Sequence, residues 1–568
     1  MLWRALGTPD EASVINSDHS AKHGGEPSHL LPSTRLPAAL QVVAALFFIP
    51  QAGLIAHSIS RIANEGGFYD VLWPAAFIAI LGIVRNCLEA AGGRLAFKIA
   101  RTELSKRRAA AVAALARRSP ADPLRQPSGE VASIIGEQAE LIVPYIARFQ
   151  PARFKATAVP FVMLVCIFPI SWIAALILLI AMPLIPLFMA LIGWRAQAAS
   201  EKQLAATGGL NGFLLDRLRG LTTMRALGAV DQTAARLRAD ANDLKSRTMA
   251  VLRIAFLSSA VLELFAALGV ALLAVYVGFS LLGEITFGAW TSGLDLSTGF
   301  FLLLLAPAFF EPLRDLSNVW HDRANGEAAL AALDGIATGG LNIVKAANGK
   351  QFARFDIELA DAGFRYAADK PLAIDAFNCR IIQGEHVALL GASGNGKSTL
   401  LALIAGLAPV SEGAVRIGGL PLDQAGDWRR HVAWIGQKPH IFAGSLSGNI
   451  TLGRAGTKVD DALHAASLEV VAAAYGKRPL GEGGLGLSGG EALRLAIARA
   501  ACNPDIRIIL ADEPTAHLDA DTGAEIAESL IDLAKGKTLV VATHDPRLAA
   551  RMQRVIAIGE ENLMEAAE

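Results

Sequence analysis

The chain has few cysteines and few charged residues for its length. Its 568 residues contain no C-x-x-C pair, which excludes a zinc knuckle or dithiol redox motif of that type. Charged residues make up 18% of the chain and cancel to a formal net charge of +0, so the composition predicts no nucleic-acid partner. The cysteines are Cys87, Cys166, Cys379 and Cys502.

Hydrophobic residues are abundant instead, at 53% of the chain, and the mean hydropathy is +0.41. This is too apolar for an ordinary soluble enzyme of this size, and it indicates a domain within a lipid bilayer. At 568 residues the chain also exceeds a single hydrophobic core, so we expect two or three domains.

The first 35 residues differ in composition from the rest of the chain. Residues 1–35 are polar, rich in Ser, His, Gly and Pro, and show no sustained periodicity. They lack the basic region and the apolar region of a signal peptide. We therefore predict a flexible cytoplasmic leader.

Residues 36–335 contain six apolar runs, which predict an α-helical membrane domain of six transmembrane helices. Pro169 lies between two of these runs and predicts a tight turn, so the third and fourth spans should form a helical hairpin. The third span would begin within an amphipathic stretch, residues 147–158. The predicted spans are residues 36–59, 71–91, 159–170, 172–194, 251–282 and 296–310.

The distribution of basic residues predicts the orientation of these spans. Residues 94–155 and 195–253 are dense in Arg and Lys, whereas residues 60–70 contain one arginine and residues 283–295 contain no basic residue. Basic loops remain in the cytoplasm, so both chain ends are predicted to lie inside. The two basic loops are rich in Ala, Leu and Arg, which predicts that the spans continue as helices below the membrane.

Five ionisable residues lie in or near the predicted spans, where they usually face a bundle interior or a water-filled cavity. Arg85 and Glu89 are spaced i, i+4, so an intrahelical ion pair and a contact with substrate both remain open. Glu263 is equally compatible with a partner on another helix. The others are His57 and Glu311.

The composition changes after Arg314. Residues 321–335 are rich in Ala and predict a last helix below the membrane, and residues 336–350 are predicted to be a linker. From residue 351 to residue 568, short strand-like runs alternate with helical ones, which predicts an α/β domain.

The α/β region contains a glycine-rich loop between a predicted strand, residues 386–390, and a predicted helix, residues 400–405. The loop reads G-x-x-x-x-G-K-[ST], a pattern whose backbone N–H groups surround a phosphate. Lys397 is predicted to reach the β- and γ-phosphates of a nucleotide, and the Ser398 hydroxyl to bind Mg²⁺. The predicted nucleotide-binding residues are Gly391, Ser393, Gly394, Asn395, Gly396, Lys397, Ser398 and Thr399.

Two acids end an apolar strand at residues 506–513. Asp512 is suited to hold Mg²⁺ through its water shell, and Glu513 can polarise the attacking water. Tyr366 follows another strand-like run, where its ring could stack on a nucleobase or pack in the core. We predict base stacking for Tyr366.

A second glycine-rich segment, residues 487–491, precedes a predicted helix at residues 492–501. Serine and two glycines at a helix start form a second anion site, and one chain has little use for two such sites with one Mg²⁺ set. We infer that this segment covers a nucleotide held by a partner domain. It consists of Leu487, Ser488, Gly489, Gly490 and Glu491.

Two polar residues come after other predicted strands of this region. Gln437 precedes a proline-containing loop, and its amide could contact Mg²⁺ or water and sense the γ-phosphate. His544 ends the strand at residues 538–542, where a histidine could bind the γ-phosphate and orient the nucleophile. Taken singly, either is also compatible with an ordinary loop residue.

Together these motifs resemble the ATP-binding cassette family. Asp519, in Ala-His-Leu-Asp, matches the family's D-loop, and His544 matches its switch histidine. Six spans followed by one cassette resemble an exporter half-transporter of the type IV architecture. The resemblance implies ATP and Mg²⁺ as ligands and a head-to-tail pair of chains with two ATP molecules between them. It also implies coupling segments near residues 128–138 and 208–221.

Residues 212–221, 306–314 and 512–519 resemble more narrowly the CydD/CydC half-transporters, and CydD more than CydC. That resemblance implies a heterodimer that exports cysteine and glutathione or handles haem, in support of cytochrome bd assembly. Two departures stand out: Glu491 replaces the common Gln, and Ala516-His517 replaces the usual Ser-Ala. Neither removes a catalytic group, so the Glu513 site is expected to be competent.

Two other functions remain open. A homodimeric lipid or drug exporter would favour a larger, more apolar cavity, and a membrane-anchored regulatory ATPase would move no solute. Our leading hypothesis is an ATP-driven exporter of small thiols or of a haem-related compound.

Overall fold

A computed structural model describes residues 32–64, 67–185, 188, 213–214, 217, 220–290, 293–346, 354–367, 369–454, 458–476, 478–481 and 486–559. The chain divides into two compact units, one of residues 1–109 and 132–334 and one of residues 110–131 and 335–568. Each unit has its own hydrophobic core. The predicted leader, up to residue 31, lies outside the described residues, as do residues 347–350 of the predicted linker.

The first unit is helical. Helical turns at Gln138–Leu141, Ile142–Pro144 and Tyr145–Phe149 lead into its fifth helix. The helices that lie wholly or partly in this unit are α1 (Arg35–Leu46), α2 (Phe48–Ala63), α3 (Phe68–Arg117), α4 (Ser128–Gly136), α5 (Gln150–Ile167), α6 (Trp172–Ile185), α7 (Leu221–Ala226), α8 (Val230–Leu281), α9 (Leu296–Asn318) and α10 (Trp320–Ala337).

Among the described residues, four helical segments are long and apolar enough to cross a membrane, at 35–63, 69–117, 260–281 and 296–337. They correspond to four of the six predicted spans. The other two predicted spans fall in α5 and α6, which a turn at residues 168–170 separates, as the hairpin prediction requires. Residues 186–187 and 189–194 of the fourth span lie outside the described residues, so the count of six stays a prediction.

Helices α3 and α8 are far longer than a membrane needs, at 50 and 52 residues. A 20-residue helix already spans about 30 Å. The predicted continuation as a helix is therefore confirmed for the second and fifth spans, whereas that of the fourth span falls on residues outside the described part of the chain. The predicted coupling segment at 128–138 contains α4, and most of the segment at 208–221 lies outside the described residues.

Charged side chains link the helices of this unit. Lys155 of α5 is buried, and its Nζ lies 3.6 Å from Glu89 of α3 and 3.3 Å from Asp315 of α9. Glu89 therefore has a partner on another helix, and the intrahelical pair with Arg85 is not what forms. The Arg85 guanidinium lies over the ring of Phe48 instead, 5.4 Å from its centroid.

Glu263 of α8 also has an interhelical partner. Its carboxylate accepts from Arg314 Nη2 of α9, at 3.1 Å and 3.0 Å to the two oxygens. This confirms the interpretation of Glu263 as a helix-pairing residue. The other two ionisable residues, His57 and Glu311, are exposed at the surface of the single chain.

The second unit contains two sheets. A four-stranded antiparallel sheet has the order β2-β1-β4-β5, and a five-stranded parallel sheet has the order β6-β7-β8-β3-β9. The strands are β1 (Ile357–Phe364), β2 (Ile374–Ile381), β3 (His386–Leu390), β4 (Glu412–Ile417), β5 (Leu420–Pro421), β6 (Val432–Ile435), β7 (Ile508–Asp512), β8 (Thr538–Thr543) and β9 (Arg554–Ala557).

Helices cover the parallel sheet, which explains why its central strands are continuous apolar runs. Every residue of β8 is buried, as are the first four of β7. The helices are α11 (Lys397–Ile404), α12 (Leu446–Thr451), α13 (Val459–Ala465), α14 (Glu469–Tyr475), α15 (Gly489–Ala501), α16 (Ala520–Leu533) and α17 (Pro546–Ala549), with a 3₁₀ turn at Trp428–His431.

The segment immediately after α3 belongs to this second unit. Ser119 N donates to Leu341 O, and Ile343 N donates to Arg117 O, each at 2.8 Å. Sequence reasoning placed residues 110–131 with the membrane domain because the basic loop that contains them is rich in Ala, Leu and Arg, which indicates a helical continuation of the spans. The backbone pairing with residues 341–343 is a long-range contact that no local pattern signals.

Strand register places four loops at one edge of the parallel sheet. Ile435 pairs with Ala511, Asp512 with Ala542, and Leu390 with Thr543. Because parallel strands end at the same edge, the residues just beyond these pairs leave the sheet side by side. The predicted site residues near 437, 513, 544 and 391 therefore meet at this edge.

Candidate active site

The glycine-rich loop joins β3 to α11. Gly394 and Gly396 have φ values of +93° and +86°, in the left-handed region that favours glycine. A Cβ on Gly396 would lie 2.4 Å from Ile374 Cδ1 and 3.1 Å from Ala373 O, so a side chain there would displace Ile374 as well as strain the backbone. Two other predicted loop residues, Ser393 and Asn395, are exposed, and Asn395 Nδ2 donates to Ile558 O at 3.1 Å.

Lys397 is the first residue of α11 and is 4% exposed. Its ammonium donates to Gly391 O at 2.8 Å and Ala392 O at 2.9 Å, so the loop folds around this charge. Nζ also lies 3.6 Å from Glu513 Oε1. The lysine thus connects the glycine-rich loop with the acidic strand end.

Asp512 ends β7 and faces the first turn of α11. Its Oδ1 accepts from Ser398 Oγ at 2.8 Å. Burial raises the pKa of Asp512, and the neighbouring Glu513 carboxylate adds to this, while the Ser398 hydrogen bond and the Lys397 ammonium oppose it. A bound cation would favour the ionised form of this carboxyl group again.

Glu513 has a φ of +48°, which is uncommon for a residue with a side chain and is held by its N–H bond to Ala542 O at 2.9 Å. Its side chain is 14% exposed, and Oε2 lies 2.6 Å from His544 Nδ1. The structure therefore brings together the acid and the histidine that the sequence singles out. An imidazole at this distance orients the carboxylate.

Gln437 leaves the sheet beside Glu513, and its amide Nε2 lies 3.4 Å from His517 Nε2. His517 was noted in the sequence only as a departure from the usual Ser-Ala pair. Its contact with Gln437 joins loops 80 residues apart, and nothing in the local sequence indicates it.

Tyr366 is packed on one side and exposed on the other, and its predicted stacking on a base stays a prediction. Its ring packs edge to face against Phe364, at 4.9 Å between centroids, and the residue is still 37% exposed. The Tyr366 hydroxyl lies 2.7 Å from Oγ1 of Thr399, which is buried in α11. The exposed ring is thus held beside the glycine-rich loop.

The segment at 487–491 lies at the start of α15 and forms a capping box. Ser488 Oγ accepts from Glu491 N at 3.2 Å, and Glu491 Oε2 accepts from Ser488 N at 2.6 Å. Gly490 packs beside Thr522 of α16, where a Cβ would be 2.9 Å from a methyl carbon. Leu487 packs on the hydrophobic cluster that contains α12, α13, α15 and α16.

That cluster is distinct from the one that holds α11. The structure therefore brings the glycine-rich loop, the two acids, Gln437 and His544 to one sheet edge, and it places the 487–491 segment on a different group of helices. A segment on a different group of helices fits the inference that it serves a partner's nucleotide.

Asp519 is the N-cap of α16 and accepts from Thr522 N at 2.9 Å. The backbone hydrogen bond from Thr522 lowers the pKa of Asp519, so the carboxylate stays ionised at the helix start. The exposed Asp519 thus joins the loop before α16 to the first turn of that helix.

Arg499 of α15 is a further residue that the sequence reasoning missed. Its guanidinium donates to Asn449 O, Asn449 Oδ1 and His440 O, at 2.6–2.8 Å. Burial lowers the pKa of Arg499, and the three acceptors compensate the buried charge. Arg499 ties the helix of the 487–491 segment to the loop after Gln437.

The residues at this edge fit a magnesium nucleotide. Ser398 and Asp512 supply the hydroxyl and carboxylate oxygens that Mg²⁺ prefers, and the described residues contain no group of three or more His, Cys, Asp or Glu that would form an all-protein metal cage. Mg²⁺ usually takes one or two protein oxygens together with phosphate oxygens. Lys397 and the loop N–H groups are suited to the phosphates.

Comparisons with known proteins agree with this geometry. Residues 38–304 match the family described as "ABC transporter transmembrane region", and residues 374–516 match "ABC transporter". The glutathione/L-cysteine transport system ATP-binding/permease protein CydD of Haemophilus influenzae is 38% identical over 75% of this chain and 73% of its own length. The transport ATP-binding protein AarD of Providencia stuartii is 34% identical over 90% and 88%.

A solved structure, that of a bacterial Atm1-family ABC exporter with ATP bound, shares the fold. Its TM-score is 0.73 at 21% identity, and the match covers 93% of both chains. In this chain the match to the transmembrane region comes before the match to the cassette. The chain therefore belongs to the ABC transporter family, as an exporter-type member that carries its transmembrane region and its ATP-hydrolysing cassette in one polypeptide.

Proposed function

We propose that this transporter exports small thiols, with cysteine and glutathione as the first candidates, and that Glu513 drives ATP hydrolysis for this export. The observation that carries the catalytic part is the convergence of Lys397, Ser398, Asp512, Glu513 and His544 at one sheet edge. The observation that carries the substrate part is the 38% identity with a protein named for glutathione/L-cysteine transport.

In the proposed reaction Glu513 polarises the water that attacks the γ-phosphate. Its carboxylate is oriented by His544 at 2.6 Å, and its strained backbone fixes its direction. Lys397 neutralises phosphate charge, and the loop N–H groups bind the phosphate oxygens. Mg²⁺, when bound by Ser398, Asp512 and Gln437, would supply further charge neutralisation.

The 487–491 segment is proposed to cover the nucleotide of a second half-transporter. The remaining N–H groups at the start of α15 would bind an anion, and they lie on other helices than the glycine-rich loop. If each chain covers the nucleotide of the other with this segment, the two chains together complete two nucleotide sites. We favour a CydC-like chain as the partner over a second copy.

Charges in the first unit support a small polar substrate. Glu89 and Asp315 share the buried Lys155, yet their side chains are 45% and 46% exposed in the single chain. Carboxylates in or near membrane spans do not face hydrocarbon, so these exposed sides fit a water-filled path or the partner chain. One negative charge remains after pairing, which favours a substrate with a free amine over haem propionates.

Transport is tested in inside-out membrane vesicles that contain the complex. L-Cysteine, glutathione and haem are added in turn, and ATP-dependent uptake is measured. We expect uptake of a thiol that has a free amine and little uptake of N-acetyl-L-cysteine. Uptake of assorted lipids or hydrophobic drugs by a complex of one subunit type would contradict the proposal, and the subunits are identified by mass.

The Glu89→Gln substitution should raise the KM for the transported thiol about fivefold to tenfold, because a charged hydrogen-bonding group is worth about 1–2 kcal/mol. Basal ATP hydrolysis should change little. Asp243→Asn is the matched control, since Asp243 is exposed on α8 and pairs with Arg247. Equal KM values for the two variants would remove Glu89 from the substrate path.

Tyr366→Ala should weaken ATP binding about tenfold or more, since base stacking is worth about 1–3 kcal/mol. Tyr366→Phe keeps the ring and loses only the contact with Thr399, so its ATP affinity should fall less than about fivefold. Equilibrium binding of ATP and of GTP measures both variants. An equal loss of ATP affinity in Tyr366→Phe and Tyr366→Ala would show that the hydroxyl, and not the ring, supports ATP binding.

The protein is a multi-pass membrane protein, and we propose the bacterial cytoplasmic membrane as its location. The basic segments at 94–155 and 195–253 support an orientation with both chain ends in the cytoplasm. Protease accessibility of the C-terminal cassette in inside-out and right-side-out vesicles tests this orientation.

A further inference from the structure

His517 lies in the loop between Glu513 and α16, and the family function leaves it without a role. The loop turns tightly, because Ala516 N donates to Glu513 O at 3.1 Å. Both Glu513 and His517 have left-handed backbones, with φ values of +48° and +62°. Such conformations are costly for residues with side chains and persist where the surroundings impose them. The turn returns the His517 side chain to the sheet edge.

At that edge His517 Nε2 lies 3.4 Å from Gln437 Nε2. An amide nitrogen only donates, so this contact is a hydrogen bond when neutral His517 carries its proton on Nδ1. Both residues are exposed, so the amide of Gln437 would otherwise rotate freely. The contact fixes which end of the amide points away from His517.

The orientation of the amide matters chemically. The Oε1 atom of Gln437 is an acceptor and can bind a cation, whereas the NH₂ group cannot. With its nitrogen held by His517, Gln437 has its oxygen free for the metal side of the site. Register places Gln437 beside Glu513, because Ile435 pairs with Ala511 two residues before each.

We propose that His517 is a positioning residue that orients the Gln437 amide so that its oxygen serves the Mg²⁺ of bound ATP. This deepens the proposed function, since it rests on Gln437 as a metal contact. It also gives a reason for a histidine at a position where the family usually has a small residue.

The first test measures cation binding without turnover. Mn²⁺ replaces Mg²⁺ in the intact complex with a non-hydrolysable ATP analogue, and bound Mn²⁺ is followed by electron paramagnetic resonance. We expect His517→Ala to weaken Mn²⁺ binding about fivefold, the effect of one modest hydrogen bond. His517→Asn should retain most of the affinity, because asparagine tolerates a left-handed backbone and offers an amide acceptor. His464→Ala is the matched control, since His464 is exposed and pairs with Glu469.

A double-mutant cycle with Gln437→Ala isolates the coupling between the two side chains. If His517 acts through Gln437, the double variant should bind Mn²⁺ no more weakly than Gln437→Ala alone. Independent, multiplicative losses would overturn the proposal. So would a His517→Asn variant that binds Mn²⁺ as weakly as His517→Ala while its melting temperature equals that of the unaltered complex.

The cycle also separates this inference from the function on which it rests. If Gln437→Ala leaves Mn²⁺ binding unchanged, Gln437 is not a metal contact, and both the proposed role of Gln437 and the inference fail. If Gln437→Ala weakens binding and His517→Ala does not, only the positioning role of His517 fails. ATPase assays over a range of Mg²⁺ concentrations should show the same pattern, as a raised half-saturating Mg²⁺ with little change in kcat.

Discussion

Replacing Glu513 by glutamine is expected to abolish steady-state ATP hydrolysis and to leave ATP binding intact. Glutamine keeps the size of the side chain and removes the charge that we propose polarises the attacking water. General-base groups contribute about 10²–10⁴ in rate, so kcat should fall by at least about 100-fold. The residue is 14% exposed, and its carboxylate lies 2.6 Å from His544, which is the arrangement of an oriented base.

The measurement is ATP turnover of the purified complex in lipid, with Glu528→Gln as the control. Glu528 lies on the exposed face of α16, and its substitution should leave turnover unchanged. A co-purifying partner chain receives the equivalent substitution, so that its cassette does not supply the remaining turnover. Turnover of Glu513→Gln within about threefold of the unaltered complex would remove Glu513 from the role of base, since that loss is far below the range for such groups.

His544 should affect the same step through Glu513. The two side chains are in hydrogen-bonding contact, so their substitutions are expected to be non-additive. Once Glu513 is glutamine, a further His544→Ala change should cost little additional rate. This is a consequence of the geometry, because the histidine orients a group that is no longer ionised.

Much of this site could be predicted because its motifs are local. The glycines at 394 and 396 are required by the backbone conformation of the loop itself, which is a property of a few neighbouring residues. Asp512 and Glu513 could be placed because a buried strand that ends in two acids must present them at the sheet edge. Parallel register then brings the separate strand ends together.

The contacts that escaped prediction are long-range ones. Lys155 lies in an amphipathic stretch and carries no motif, yet it is the partner of Glu89, which lies far earlier in the chain on another helix. A buried ammonium without a partner is far more costly than a half-exposed i, i+4 pair is stabilising. Lys155 therefore forms an ion pair with Glu89, and the intrahelical ion pair that the i, i+4 spacing of Arg85 and Glu89 allows does not form. His517 escaped for the same reason, since its partner lies on a different loop.

Replacing Lys397 by methionine is expected to remove ATP binding itself, which distinguishes it from the Glu513→Gln change. The lysine is 4% exposed, and its ammonium is the charge around which the glycine-rich loop folds, with bonds of 2.8 Å and 2.9 Å to Gly391 O and Ala392 O. Methionine has a similar length and can supply neither these bonds nor a charge for the phosphates. Loss of one preorganised donor to a transferring group costs about 10²–10³ in rate, and the loss of ground-state binding adds to this.

Lys397→Arg is the informative companion variant, because it keeps the charge but not the shape. A guanidinium is planar and larger than an ammonium, so it cannot occupy the same enclosed position between two carbonyl oxygens. We expect Lys397→Arg to lose ATP binding almost as fully as Lys397→Met. Lys535→Met is the control, since Lys535 is exposed and pairs with Asp532 on the surface.

Thermal unfolding of the cassette with and without ATP compares all these variants on one scale. A ligand present at about 100 times its Kd stabilises the folded state by about 2.7 kcal/mol, so bound ATP raises the unfolding temperature. Glu513→Gln should keep the full ATP-dependent rise, and Lys397→Met should lose it. The opposite assignment, with Lys397→Met stabilised by ATP as strongly as the unaltered protein, would show that the phosphates are held by the loop N–H groups without the lysine. We therefore expect binding and hydrolysis to depend on different charges at the same sheet edge: Lys397 for holding the nucleotide, and Glu513 for cleaving it.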